Sequence, residues 1–179
     1  MFLQGNDILN SEGVYMYLTI CLLILCLFAI LMMLYSGVAL IQNKKLFSSA
    51  PNDIQEAIGE HEERFSGAHL IGWILLILSA AIIACSLSYG AWDGIRNNFT
   101  LWDFFIRFFV MFELYKLFDM IFIDWILLTK SNFYQYYYPE TKGCESYNHY
   151  GFNLKSQLLK LIVIFPVAAF VLAFVLSLI

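Results

Sequence analysis

Charge is what this chain has least of. Of its 179 residues, 10 are lysine or arginine and 14 aspartate or glutamate, so 13% are charged while 61% are hydrophobic. An average soluble domain carries about twice that share of charge. The net charge of -4 and the lack of any basic run remove nucleic acid as a partner. Histidine is also scarce, with 3 residues in all. There is no histidine-rich box for a di-iron centre and no pair of membrane histidines for haem. HExxH, GxSxG and a glycine-rich phosphate loop are missing too. Trp92-Asp93-Gly94-Ile95-Arg96 has only a superficial likeness to the start of a lipid-phosphotransfer motif, because the acidic residues that would complete it are absent. Of the 4 cysteines, Cys21, Cys26 and Cys85 lie in apolar runs and Cys144 stands alone. No CxxC exists, which argues against a disulfide framework or thiol-redox chemistry. The start of the chain does not read as a cleavable signal, having no basic segment and too long an apolar run. No metal site is indicated, and the cofactor is left unknown.

What the chain does have is apolar length. Four stretches, about 14–41, 69–89, 102–128 and 158–179, are each long enough to cross a hydrocarbon core of about 30 Å at 1.5 Å per residue. The expected fold is all-α: a polytopic membrane protein with one four-helix transmembrane domain. Tyr15, Tyr17, Trp73, Tyr89, Trp92, Trp102 and Trp125 fall near the expected span ends, as an interfacial belt requires. Lys44, Lys45 and Arg64 sit in the connection 42–68, and Lys130, Lys142 and Lys155 in 129–157. The N-terminal segment has no such residue and the connection 90–101 has only Arg96. This asymmetry places both long connections in the cytoplasm and both termini outside the cell membrane. The sequon Asn98-Phe99-Thr100 abuts the third span and reads as chance.

Small residues spaced by four, Ala80/Ala84/Ser88 and Ala169/Ala173/Ser177, suggest close packing of the second and fourth spans. Pro166 should kink the fourth. In the first long connection, Asn52 and Gln55 suit a capping box opening an amphipathic helix. Ile54, Ala57, Ile58, His61 and Phe65 form its apolar face, and Asp53, Glu56, Glu60, Glu62 and Glu63 its acidic one. A membrane-surface helix would be basic, so this one should dock on its own bundle or on a partner. The glutamates with His61 offer a cation site, and a solvated acidic face is the plainer reading. The second connection holds Phe133, Tyr134, Tyr136, Tyr137, Tyr138, Tyr147, Tyr150 and Phe152. Disordered segments are poor in aromatics, so this loop should be ordered and cap the bundle.

The third span is the exception to the scarcity of charge. It holds Asp103, Arg107, Glu113, Lys116, Asp119 and Asp124, and such groups are costly in lipid unless they face protein or water. Asp103 and Arg107 are four apart and suited to pair. Glu113, Lys116 and Asp119 follow at intervals of three and suit a shared ion network. At 100° per residue Glu113 and Asp124 fall on one stripe. Asp124 has no basic residue three or four positions away, so apolar surroundings favour its neutral acid. Lys130, Lys142 or His149 could reach it from the loop.

Through Phe118 to Cys144, FDMIFIDWILLTKSNFYQYYYPETKGC, the chain resembles a group of small, uncharacterised bacterial membrane proteins. The likeness extends to Phe152 and to PNDIQEAIGEHEERF. It implies a four-helix membrane architecture and brings with it no activity, cofactor or catalytic residue. Glu113, Lys116, Asp119, Asp124 and His149 are therefore the candidate site, and binding or transport of a cation or proton-coupled solute is the leading function. A membrane enzyme for an amphipathic substrate, with Asp119, Asp124 and His149 near the chemistry, is the alternative. A scaffold or subunit is the third reading. The bilayer is the expected partner, with a second copy or another membrane protein beside it.

Overall fold

A computed structural model describes residues 3–47, 50–149, 151 and 153–179, with the side chains of 3–12 and Phe47 left aside. The described residues are helical with no strand among them. Helix α1 (Leu3–Tyr35) continues through wide, π-type turns at Ser36–Ile41. A short α2 (Asn52–Ala57) follows, then α3 (Ala68–Arg96). Helix α4 (Leu101–Phe118) runs on as π-type turns over Asp119–Lys130. After the short α5 (Phe133–Tyr137) come α6 (Leu154–Leu159), wide turns at Lys160–Ile164 and α7 (Phe165–Leu176). Three helical rods, Gly13–Ile41, Ala68–Arg96 and Leu154–Leu176, are long and apolar enough to cross a membrane. The α4 rod is equally long, and its charges set it apart from those three.

The rods lie side by side in the order α3, α1, α4, α7, with α1 and α4 in the middle. Leu22 and Cys26 of α1 pack with Phe104, Phe108 and Met111 of α4 and with Ala169, Ala173 and Leu176 of α7. The Ala169/Ala173 stripe is thus an interface where helix backbones approach closely. The Ala80/Ala84/Ser88 stripe is not: all three are exposed, and α3 buries Gly72, Ser79, Ser86, Gly90 and Gly94 instead. The physical reason is proximity. A Cβ on Gly72 would sit 2.6 Å from Ile41 Cγ1, and the Ser36 hydroxyl donates to the Gly72 carbonyl at 2.5 Å. Only the glycine and serine face admits α1 this close.

The α3 helix also runs to Arg96 rather than ending near Tyr89. The turn into α4 is short, with Asn98 in the left-handed region at φ 54°. Thr100 and Asp103 then form a reciprocal capping box, which satisfies two backbone donors at the start of α4. Pro166 falls in the first turn of α7, directly after the wide turns of Lys160–Ile164. Proline cannot donate to the helical ladder, and the change of hydrogen-bond pattern before it absorbs that loss.

At the end of the rods carrying the two long connections, a second cluster joins Val38, Ile54, Ile58, Leu128, Tyr134, Tyr138 and Tyr147. The aromatic loop packs here through Tyr134, Tyr138 and Tyr147, and Tyr150 and Phe152 lie outside the described residues. The acidic helix is shorter than its pattern suggested. It stops at Ala57, with Pro51 rather than Asn52 at its N-cap and no side-chain capping bond. Ile58 is extended because the chain turns to meet the loop: the Gly59 N–H donates to Glu140 at 3.3 Å, and His61 Nε2 lies 2.6 Å from the same carboxylate.

Candidate functional site

The charges of the α4 rod separate into two groups. Near Asn98, Arg107 is 3% exposed and engages other elements through Nη1 and Nε, while its Nη2 is buried without a hydrogen bond. Its Nη1 lies 2.8 Å from Asp93 and donates to the Gly90 carbonyl at 2.7 Å, while Nε donates to Thr19. The guanidinium carbon stands 4.4 Å from the centre of the Phe99 ring. The expected Asp103–Arg107 pair does not form. Asp103 is spent on the capping box, and Asp93, on the extra turns of α3, takes the arginine instead.

At the other end lies a cavity of about 250 Å³. Apolar residues of α1 and its wide turns (Ile30, Met33, Leu34, Val38) face Ile123, Leu128 and Tyr134 across it, and exposed Leu46 borders it. Asp119 and Asp124 are the charged residues in its wall. Their common orientation follows from the wide turns. In an α-helix residues five apart point about 140° from one another. Where hydrogen bonds run from i to i+5, residues five apart come round to nearly the same side. Asp119 and Asp124 lie in such a segment, and both reach one cavity. The α-helical stripe joining Glu113 to Asp124 is therefore not the face that forms.

The ion network is also smaller than the spacing allowed. Lys116, 5% exposed, pairs with Asp119 Oδ2 at 2.5 Å. Glu113 takes no part, and its Oε1 is buried without a hydrogen bond. On the far side of the Lys116–Asp119 pair, Lys160 lines an adjoining cavity with both. Asp119 thus has lysines around it. Asp124 feels Lys116 only from a distance: among the described residues no salt bridge reaches it. Its hydrogen bonds come from two carboxamides at the start of the last rod. Asn153 Nδ2 donates at 2.7 Å and Gln157 Nε2 at 2.5 Å, both to Oδ2. Among the described residues Oδ1 receives no hydrogen bond. His149 is exposed and lies off the cavity.

Sequence reasoning missed Asn153 and Gln157. A signal existed, because carboxamides four apart on one helix face can meet a charge that its own helix leaves unpaired. No group of three or more histidine, cysteine, aspartate or glutamate side chains able to hold a metal ion occurs among the described residues.

The cap over this end is electrostatically quiet. Burial pushes the phenols of Tyr134, Tyr138 and Tyr147 above their ordinary value, so they stay neutral. Thr141 Oγ1 and the Tyr147 hydroxyl are 2.8 Å apart, and Thr141 donates to the Tyr138 carbonyl at 2.7 Å or shares its proton with Tyr147. Burial alone would raise Glu140, but its bonds to His61 and the Gly59 N–H outweigh that and hold it below the usual carboxylate range. Asp53 behaves alike: the Ser146 and Ile54 groups overcome burial and hold it low. Burial, and then Asp53, raises the Cys144 thiol, which makes it a poor nucleophile.

Comparison with known proteins finds no matching family model, no matching curated protein and no matching solved structure. The site has to be read from its own chemistry.

Proposed function

We propose that this is a four-helix integral membrane protein, the charged α4 rod being the fourth crossing, that binds an amphipathic monovalent cation at the Asp119–Asp124 cavity. The observation that carries the reading is the Asp124 carboxylate, unmatched by any base, in the wall of an otherwise apolar cavity. Lys116 and Asp119 cancel and Lys160 stands in the adjoining cavity, so within this cavity the Asp124 carboxylate is the charge left to meet one cation. The apolar lining suits a hydrocarbon body beside that charge, and a desolvated site makes the attraction stronger than it is in water. Asp93 and Arg107 neutralise each other, which lowers the cost of taking α4 into lipid. The lysine asymmetry puts the cavity at the cytoplasmic side of the cell membrane, with both termini outside. The enzyme alternative gains nothing from His149, which stands off the cavity.

Calorimetry on the detergent-purified protein tests this with benzyltrimethylammonium and its uncharged isostere, neopentylbenzene. The cation should bind more tightly than the isostere. Asp124→Asn should keep the fold and weaken cation binding at least tenfold, about 1.4 kcal/mol. Asp119→Asn should instead lower thermal stability, because it strands Lys116. Equal binding of the cation by wild type and Asp124→Asn sinks the proposal.

A further inference from the structure

The carboxamides that hold Asp124 leave an unexplained remainder. Asn153 Oδ1 and Gln157 Oε1 are both buried without a hydrogen bond, and Gln157 is only 5% exposed. Each amide donates to Asp124 Oδ2. The fixed geometry of a carboxamide therefore keeps both orphaned oxygens within about 5 Å of that atom. Buried acceptors without partners are uncommon in folded proteins, and two beside one uncompensated carboxylate call for a positive occupant. Carboxylate and amide oxygens are hard ligands, suited to hard cations at about 2.3–2.6 Å. One unbalanced carboxylate matches a single positive charge.

We propose that Asp124, Asn153 and Gln157 form a site for one alkali-metal cation of about sodium's size, in competition with the amphipathic cation for the same carboxylate. This rests on the reading above that Asp124 is the cation-binding group. With no ion bound, the two amides turn their N–H groups to Asp124. A half-turn of each amide presents its oxygen in the same space, so the site forms without moving the helices. One carboxylate balances one cation, and occupancy by one therefore excludes the other. A protein with such a site exchanges the two rather than carrying them together.

The full-length protein in detergent, at fixed pH and ionic strength, provides the test, with N-methylglucamine replacing sodium. Sodium should raise the thermal midpoint saturably, as any ligand of the folded state does. Benzyltrimethylammonium should bind about tenfold more weakly when sodium is present at ten times its own dissociation constant. Gln157→Leu should abolish both the sodium-induced rise in thermal midpoint and the sodium dependence of benzyltrimethylammonium binding, even where the loss of its bond to Asp124 changes the affinity in sodium-free buffer. Asn153→Ala, at a half-buried position, makes the same test if Gln157→Leu does not fold. Benzyltrimethylammonium binding that ignores sodium overturns the alkali site and leaves the cavity reading standing. Competition by protons alone, seen as weaker binding at lower pH with no sodium effect, overturns it equally. Absence of benzyltrimethylammonium binding in every buffer removes both.

Discussion

The two ends of the α4 rod handle buried charge in opposite ways. At Arg107 every interaction crosses to another element, and Asp93 cancels the charge. At Asp124 the partners are neutral amides that orient the carboxylate without cancelling it. A cancelled pair holds helices together but has nothing left with which to attract a ligand. An oriented, uncancelled carboxylate is the reverse. On the proposed function, one helix thus combines a fastening and a binding group, and the kind of partner tells them apart.

The comparison breaks most severely at the fastened end. Arg107→Met should destabilise the protein by up to about 3 kcal/mol, since it leaves the half-buried Asp93 without its partner. Thermal unfolding in detergent would show this. The double variant Arg107→Met with Asp93→Leu should recover most of the loss. A single variant as stable as wild type would mean that the pair fastens nothing.

A smaller effect is expected from Gly94→Ala beside the same pair. An added Cβ would collide with the Phe104 ring, one of the most buried side chains in the core. Overpacking of this kind costs about 1–3 kcal/mol. Unchanged stability would show that Phe104 can shift and that the α3–α4 contact is loose.

The smallest effect concerns the cap at the Asp124 end. Glu140 and Asp53 are both held below the ordinary carboxylate range. Their contribution is therefore complete above the unfolded-state value and is lost as pH falls through the lowered one. Glu140 is exposed and Asp53 only half-buried, so solvent screens both and the loss should be slight. Acidification should raise amide exchange first in the loop around Glu140, while the Arg107 end stays protected. Simultaneous loosening of both ends would erase the distinction between them.

Much of the helical layout was legible because long apolar runs have few alternatives. The limits were set by contacts that a single helix cannot announce. Asp93 fell in the expected connection 90–101, yet the helix runs past it, and its neighbours Gly90 and Gly94 are where Leu22 and Phe104 approach. Asp103 looked like the natural mate of Arg107, and its nearer obligation was to the backbone at Thr100. Ala80 and Ala84 had the right spacing on the wrong face, because Gly72 and Ser79 already met α1. In the candidate site, Lys116 with Asp119 was readable from spacing alone. The joint orientation of Asp119 and Asp124 was not, since it depends on turns wider than those of an α-helix. Asn153 and Gln157 were hidden by their neutrality, which draws no attention until an unmatched charge is found facing them.

The Asp93–Arg107 pair also bears on how the chain enters its membrane. The two residues flank the turn between α3 and α4, where each alone would add an uncompensated charge to an inserting helix. Joined across the turn, they present the insertion machinery with almost no net charge. On the four-helix reading, α3 and α4 therefore insert as a hairpin rather than one after the other. On that reading, the arginine that fastens the finished bundle would also be half of the pass that admits its helix.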